Sequence, residues 1–197
     1  MNHRSAGSLR AALAGLVAVT GLLFVGCASD APASSGPSSP TTATAPGSTT
    51  GTPVAPQGFR AVTVVITLPD GHTRGWCMWL ADTPARREQG LMGVTDPGLG
   101  GAPGMVFAFP GDTTASFWMK DTLMPLSIAW YPADGPLVST ADMEPCPAGT
   151  ESCPVFSAAD RYRYAVETPQ GVLDALGLVE GSSLALGAAC TPGDGSA

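Results

Sequence analysis

The chain has 197 residues and a formal net charge of −7, with 16 acidic and 9 basic side chains and 2 histidines. This acidic balance argues against the cationic surface that binds nucleic acid, and it offers no basic segment for docking on an anionic membrane. The sequence also lacks a phosphate-binding loop, a G-x-S-x-G serine motif and an H-E-x-x-H zinc motif, so no cofactor is expected.

The first 26 residues have the features of a signal peptide for export. Arg4 and Arg10 supply its positive start, and residues 11–25 form an uncharged apolar run. The run ends in Leu-Phe-Val-Gly-Cys, which resembles a bacterial lipobox. We therefore expect cleavage after Gly26 and a lipid on Cys27, which would anchor the protein to the cell membrane, facing outside the cytoplasm. A plain signal peptide or an uncleaved anchor is the alternative.

Residues 27–58 consist almost wholly of Ala, Ser, Thr, Pro and Gly. Such a segment cannot bury enough apolar surface to offset its chain entropy, so we expect a flexible tether, which could carry O-linked glycans. Without the signal peptide the chain keeps 7 basic and 16 acidic side chains, a formal charge of −9. The lipid, rather than charge, would therefore hold the protein on the membrane.

Residues 59–190 are long enough for one globular domain, and residues 191–197 are expected to form a disordered tail. Apolar residues alternate along residues 61–68, which indicates a strand, and Asp70-Gly71 supplies hairpin turn chemistry. Further strand-sized apolar segments follow at residues 74–81, 104–109, 115–120, 126–131, 136–143, 163–168 and 182–187. The pattern predicts an α+β, mainly antiparallel β domain, a small barrel-like or meander sheet with two short helices.

Two segments carry helix signals. Thr83 can cap a helix, Pro84 suits its first position, and Gly90 suits a left-handed stop. Thr168-Pro169 and Gly177 repeat this arrangement later in the chain, so we expect a second helix between them.

The four cysteines that follow Cys27 are expected to form disulfides, since their number is even and the domain is exported. They allow three pairings, of which Cys146–Cys153 with Cys77–Cys190 is favoured by the short loop between Cys146 and Cys153. A four-cysteine zinc site is the competing interpretation. No pair has the spacing typical of such a site, so no metal site is expected.

Other chemistries have weaker support. His72 is the only histidine outside the signal peptide, and it falls in the hairpin turn. Two acidic residues could serve a carboxylate-dependent hydrolase of cell-envelope carbohydrate, although no pair stands out. Thioethers could bind copper(I), but methionines also fill irregular cores and these are not clustered. The methionines in question are Met78, Met92, Met105, Met119, Met124 and Met143.

Several long motifs of the domain resemble a known family. They read, in chain order, REQGLMG, PGMVFAFP, FWMKDTLMPLSIAWY, EPCPAGTESCPVF and YAVETPQG. This series is similar to the bacterial and archaeal family called domain of unknown function 192, over roughly residues 79–186. The family usually has Asn where this chain has Asp121. The resemblance implies a compact β-rich domain, often exported, and no established reaction.

The segment SFWMKDT holds Lys120, the only lysine of the chain. In an extended strand Phe117 and Met119 would point into the core, while Trp118 and Lys120 would emerge together. An indole beside an ammonium group could bind a sugar, an anionic group or a planar ligand. A lysine that merely covers the tryptophan, or pairs with an acid, is the structural alternative.

Glu88 and Glu167 offer the complementary charge. Glu167 alternates with Val166 and can face away from the core, and Glu88 belongs to the first predicted helix. The sequence therefore predicts a ligand site of Glu88, Trp118, Lys120 and Glu167. A network of surface salt bridges is the alternative. The expected ligand is a small molecule, a glycan or an envelope protein, in a domain that is more plausibly a binding module than an enzyme.

Overall fold

The computed structural model describes residues 52–146, 149–150 and 152–193. The expected signal peptide, Cys27, the tether as far as residue 51 and the last four residues of the expected tail lie outside the described residues. The described part of the chain contains no helix long and apolar enough to cross a membrane.

The described residues form a mainly antiparallel β structure with two short helices. The main sheet has seven strands in the order β6-β5-β8-β3-β2-β1-β9, and β4 pairs with β7 in a separate two-stranded ladder. The strands are β1 Arg60–Thr67, β2 Thr73–Ala81, β3 Met105–Thr113, β4 Phe117–Trp118, β5 Leu126–Tyr131, β6 Ser139–Met143, β7 Val155–Phe156, β8 Tyr162–Pro169 and β9 Ser183–Cys190.

The sheet is open, with β6 and β9 at its edges, so the barrel form of the prediction is not reached. A single bridge, Pro136 to Ser183, connects the turn after β5 to the start of β9. All neighbouring strands are antiparallel except β2 and β3, which run parallel. The chain between β2 and β3 must therefore cross over one face of the sheet, and it carries the first helix with it.

Two hydrophobic cores lie on opposite faces of the main sheet, because successive residues of a strand point to opposite sides. One core contains alternate residues of β1, with Met78, Leu80, Val106 and Val166. The other contains Met105, Phe107, Ile128, Trp130 and Ala165, and it is covered by the β2–β3 crossover and by the ladder of β4 and β7. The central strands are therefore buried on both faces, as the fully buried pattern of β5 indicates.

The hairpin between β1 and β2 and the first helix, α1 (Pro84–Gln89), both form where the sequence predicts them. The Thr83 hydroxyl accepts a hydrogen bond from the Arg86 amide, and Gly90 ends the helix at φ 47°. In the tight turn before β2, the Leu68 amide donates to the His72 carbonyl at 2.8 Å, and the Gly71 amide donates to the Leu68 carbonyl at 2.9 Å.

The second helix, α2 (Leu173–Leu176), is shorter than predicted. Thr168 and Pro169 do not open it, because they are the last residues of β8 and pair with β5. The prediction was wrong at this end and right at the other, where Gly177 adopts the left-handed conformation at φ 85°. Sheet pairing has overridden a local helix signal.

Both expected disulfides are present. Cys77–Cys190 joins β2 and β9, which lie on either side of β1, and Cys146–Cys153 closes the loop between β6 and β7. Two such bonds are compatible with a domain that folds in an oxidising compartment outside the cytoplasm.

The last residues of the expected tether lie against the domain. The Val54 amide donates to the Thr95 hydroxyl at 2.9 Å, and the Thr95 amide donates to the Val54 carbonyl at 3.0 Å. Pro56 is buried, and the Gly58 carbonyl accepts a hydrogen bond from Arg86. The packed part of the chain therefore starts a few residues before Phe59, where the sequence placed its beginning.

Candidate functional site

A small cavity lies between α1, the turn that follows it, and the strands β3, β4 and β8. Its volume is about 30 Å³, which is sufficient for a water molecule. The lining residues are Arg87, Glu88, Gln89, Gly90, Leu91, Met92, Phe107, Phe117, Trp118, Thr122 and Glu167. Three of the four predicted site residues therefore meet at one cavity, although they are far apart in the sequence.

Glu167 forms the buried end of this cavity. It stands opposite Met105 of β3 and Ile128 of β5, in the middle of the sheet, and is only 5% exposed. The sequence prediction that Glu167 faces away from the core was wrong. The alternation was interpreted correctly, but the second face of the sheet is covered as well, so the Glu167 side chain is buried and keeps only a small exposed area at the cavity.

Burial raises the pKa of Glu167 to about 8, because transfer from water penalises the charged carboxylate. Among the described residues, none forms a salt bridge with this carboxyl group and none donates a hydrogen bond to it. The raised pKa favours the protonated, neutral acid at pH 7, and no described residue uses its hydrogen-bonding capacity. A buried acid with a raised pKa in a cleft marks a candidate functional site.

Trp118 and Lys120 lie at the outer side of the site. Trp118 is 47% exposed, and the Lys120 ammonium lies 5.5 Å from the centre of its ring. Phe117 and Met119 point inward, as the sequence predicts, and Phe117 meets Phe107 edge to face at 5.0 Å. Lys120 is next to the cavity without lining it.

The chain does not stay extended beyond Trp118, where the sequence predicted one continuous strand. The Thr122 amide donates to the Met119 carbonyl, which closes a turn, and Asp121 has φ 54°. Asp and Asn tolerate this left-handed conformation better than other residues with a side chain. The turn is tied to the segment after α1 by a 2.8 Å hydrogen bond from Gly93 to the Asp121 carbonyl.

Glu88 lies on the exposed side of α1 and lines the mouth of the cavity. Its neighbour Arg87 also lines the cavity, but its guanidinium group is held by carbonyl oxygens. One nitrogen, Nη1, donates to Asp82 and to Ala108, both at 2.8 Å. The group also lies 4.9 Å from the centre of the Phe109 ring. Arg87 thus fastens α1 to β3 and leaves Glu167 without a counter-ion.

The sequence analysis missed several lining residues, most of them apolar or backbone elements. Gly90 has φ 47°, and a Cβ atom there would lie 3.3 Å from the Phe107 ring. Phe107 and Thr122 complete the wall and the turn. These residues belong to the G-L-M, G-M-x-F-x-F and K-D-T motifs, which were used as signs of the family rather than as parts of a site.

The predicted alternatives also included metal binding. The described residues contain no group of three or more His, Cys, Asp or Glu side chains that could hold a metal ion. Met78 lies in one hydrophobic core and Met105, Met119 and Met143 lie in the other, while Met92 lines the cavity.

Three larger hollows of about 380 to 400 Å³ lie elsewhere on the surface. One is lined by Trp76 and the Cys77 side of a disulfide, and another lies between α2 and the start of β6. None contains a predicted site residue, and the buried Glu167 belongs to the small cavity. Chemistry rather than size therefore identifies the candidate site.

Two solved structures resemble this chain at 27% sequence identity. One is a proposed transcription regulator from Sinorhizobium meliloti 1021, with a TM-score of 0.54, covering 68% of this chain and 96% of that chain. The other is a protein of unknown function from Novosphingobium aromaticivorans DSM 12444, with a TM-score of 0.55, covering 69% of this chain and 94% of that chain.

No protein of curated function matches the chain. The model of the uncharacterised family DUF192, described as "Uncharacterized ACR", matches residues 65–186, which is more than half of the chain and nearly all of the folded domain. The matched range contains every residue of the candidate site. The chain belongs to the family called domain of unknown function 192.

Proposed function

We propose that this protein is a lipid-anchored binding module outside the cytoplasm, and that it holds a small or glycan-like ligand, or part of an envelope protein, at the Trp118–Lys120 surface. The observation that carries the proposal is the unpartnered, buried carboxyl group of Glu167 in a cavity beside an exposed indole ring. The ligand would supply the hydrogen-bond partner that the protein does not.

The two parts of the site suit two parts of a ligand. An exposed indole stacks well on the apolar face of a sugar or on a planar group. The Lys120 ammonium, a compact and mobile charge, can contact hydroxyl or anionic groups above the ring. The cavity accepts only a small substituent, so it would select a ligand by one projecting group rather than by its whole shape.

The description of the Sinorhizobium meliloti protein as a proposed transcription regulator raises the question of nucleic-acid binding, which has no support in the charge of this chain. The chain without its expected signal peptide has 7 basic and 16 acidic side chains. Proteins that bind nucleic acid neutralise several phosphates with clustered Lys and Arg. We therefore do not transfer that description.

A hydrolase is the second candidate, and one observation favours it. Glu167 and Glu88 line the same cavity in different surroundings, one a buried neutral acid and the other exposed. Carboxyl groups in contrasting environments are what glycoside hydrolysis requires of its acid and its base or nucleophile. Release of reducing sugar from purified envelope glycans by the wild type, abolished in Glu167→Gln, would favour the enzyme over the binding module.

The binding proposal is tested at Lys120 and Trp118. We expect Lys120→Arg to change the free energy of unfolding by less than about 0.5 kcal/mol, because the side chain is exposed, and to lose the material that the wild type retains from a cell-envelope extract. Trp118→Ala should lose it as well. The measurement is mass spectrometry of retained material beside urea denaturation of each variant.

Val54→Ala is the matched control for Trp118→Ala, because Val54 is 48% exposed and does not line the cavity. It should retain the same material as the wild type. Normal retention by both Lys120→Arg and Trp118→Ala would contradict the proposed binding surface.

The lipid anchor is tested at Cys27. We expect the mature protein to begin at a diacylglyceryl-modified Cys27, since the Leu-Phe-Val-Gly-Cys sequence precedes the tether. Mass spectrometry of the membrane fraction should find this species in the wild type and should find no lipid on Cys27→Ala. A Cys27→Ala protein that is still cleaved after Gly26 and lipidated would refute the assignment.

A further inference from the structure

Resting on the proposed binding function, we propose that the small cavity receives a primary ammonium group of the ligand, with Glu167 as its counter-ion. The aromatic side chains of Phe107, Phe117 and Trp118 would surround the ammonium-bearing carbon. The ligand class is thus a primary amine, such as an amino sugar with a free amine or a lysine side chain of an envelope protein.

The size of the cavity is the first argument. Its volume of about 30 Å³ exceeds the roughly 10–15 Å³ that a single water requires, and an ammonium group is about as large as water. A whole sugar ring is larger than this space. A projecting amine can therefore enter the cavity.

The composition of the walls is the second argument. Aromatic rings attract cations through their negative faces, and three of the lining residues are aromatic. Both acidic lining residues, Glu88 and Glu167, have no salt-bridge partner among the described residues. Arg87 also lines the cavity, but carbonyl oxygens of Asp82 and Ala108 hold its guanidinium group. The aromatic rings and the two carboxyl groups that have no salt-bridge partner in the described part of the chain are complementary to a further cation.

None of the described elements around Glu167 supplies a cation that pairs with its carboxyl group. Arg87 of α1 is engaged with two carbonyl oxygens, and Lys120 lies outside the cavity above the indole ring. β3 and β5 present Met105 and Ile128 at its level. A cationic group of the ligand could therefore pair with the Glu167 carboxylate.

Binding of an amine would be coupled to loss of a proton. Burial raises the pKa of Glu167 to about 8, so the free site carries a neutral acid at pH 6.5. When the ammonium group enters, the Glu167 proton leaves to solvent and a carboxylate–ammonium pair forms. Charge balances, because one proton is released for each amine bound. A ligand that accepts a hydrogen bond from the neutral acid would instead bind without releasing a proton.

The experiment uses two pairs of probes with the full-length protein in detergent. Nα-acetyl-lysine methylamide represents a protein lysine, and methyl glucosaminide represents an amino sugar; each is compared with its N-acetylated form. We expect at least one amine to bind at least tenfold more tightly than its acetylated form at pH 7. The source of the ligand follows from which amine binds.

Calorimetry in buffers of different ionisation enthalpy counts the protons. Binding of the amine at pH 6.5 should release about one proton. For the lysine probe, whose own amine titrates near pH 10.4, affinity should rise by up to about tenfold per pH unit below pH 8. Glu167→Gln should weaken the amine at least tenfold and abolish proton release, while the exposed control Glu180→Gln should change neither.

The outcomes separate this inference from the proposed function. If the acetylated probes bind, with loss in Trp118→Ala, and the amines do not bind more tightly, the binding surface stands and the ammonium assignment is wrong. The ammonium assignment is also overturned if the affinity for the lysine probe falls as pH rises, if binding releases no proton, or if neither amine binds. The binding surface itself is tested separately, by whether Trp118→Ala and Lys120→Arg still retain material from the envelope extract.

Discussion

Glu167 is a side chain whose ionisation opposes folding. Its folded pKa is about 8 and its ordinary value is 4.5, so the folded protein keeps this proton where the unfolded chain has lost it. Between these values the native state binds more protons than the unfolded state, and the free energy of unfolding falls as pH rises. Below pH 4.5 both states are protonated and this term vanishes.

We therefore expect wild-type stability to decline relative to Glu167→Gln between pH 5 and pH 8. The slope attributable to this residue is at most about 1.4 kcal/mol per pH unit. Urea denaturation of both proteins at pH 5, 6.5 and 8 measures it. Glu180→Gln, which alters an exposed acid, should follow the wild type; parallel curves for wild type and Glu167→Gln would show that the carboxyl group is not neutral in the folded state.

Asp121 shows how a residue can serve the site through its backbone. Its left-handed conformation turns the chain after Lys120, and its carbonyl oxygen accepts the hydrogen bond from Gly93. The Asn that is usual in the family and the Asp of this chain both tolerate φ near 54°. The substitution is thus compatible with an unchanged turn.

At the scale of elements, the approach of β3 to β8 determines where Glu167 lies. Gly104, just before β3, leaves no room for a side chain, because a Cβ atom would lie 2.6 Å from the Glu167 carbonyl oxygen. Its carbonyl also accepts a hydrogen bond from Trp79 of β2. The absence of a side chain therefore allows the backbones to pack closely beside the cavity.

We expect Gly104→Ala to destabilise the domain by about 1–3 kcal/mol, in the range for overpacking, and to weaken binding at the cavity. The matched control is Gly111→Ala, since Gly111 lies in β3, the strand that follows Gly104, and a Cβ atom there meets nothing within 4 Å. Its effect should stay within about 0.5 kcal/mol. Equal unfolding midpoints for the two variants in urea would contradict the packing account.

The crossover between the parallel strands β2 and β3 is the element that builds the site. It carries α1, ending at Gly90, onto the face of the sheet where Glu167 lies. The short ladder of β4 and β7 covers the same face from the other side and presents Trp118 opposite Val155. The cavity is thus a gap between two separate coverings of one sheet face.

At the scale of the whole molecule, the two disulfides constrain very different lengths of chain. Cys77–Cys190 closes a separation of 113 residues and Cys146–Cys153 a separation of 7. In the chain-entropy model, the free energy of unfolding gained from a crosslink grows with the logarithm of this length, to about 5 kcal/mol for the long loop and about 2 kcal/mol for the short one.

We expect the Cys77→Ser, Cys190→Ser double variant to be destabilised more than the Cys146→Ser, Cys153→Ser double variant. Thermal unfolding of both proteins, beside the wild type with and without reductant, measures the difference. The Cys146→Ser, Cys153→Ser variant should keep the fold. It shows how much stability is lost when any one disulfide is removed, whatever the length of its loop. A larger loss from the short loop would mean that this disulfide stabilises the folded state through local packing.

Local features of this protein were predictable from its sequence because they depend on neighbouring residues. Alternation identified the strands, Thr83 and Gly90 marked the first helix, and the facing of Phe117, Trp118 and Met119 followed from the pleat of a strand. The pairing of the cysteines also followed, because a short loop and an even number left few choices. These predictions required no knowledge of which strands are neighbours.

The tertiary structure alone decided what depends on distant pairing. Strand order placed β8 between β3 and β5, and this central position buried Glu167 and raised its pKa. It also drew Thr168 and Pro169 into the sheet against their helix signal. Alternation tells which residues share a face, but whether that face meets water depends on what covers it. Of the covering segments, β4 and α1 lie some 50 to 80 residues earlier in the chain.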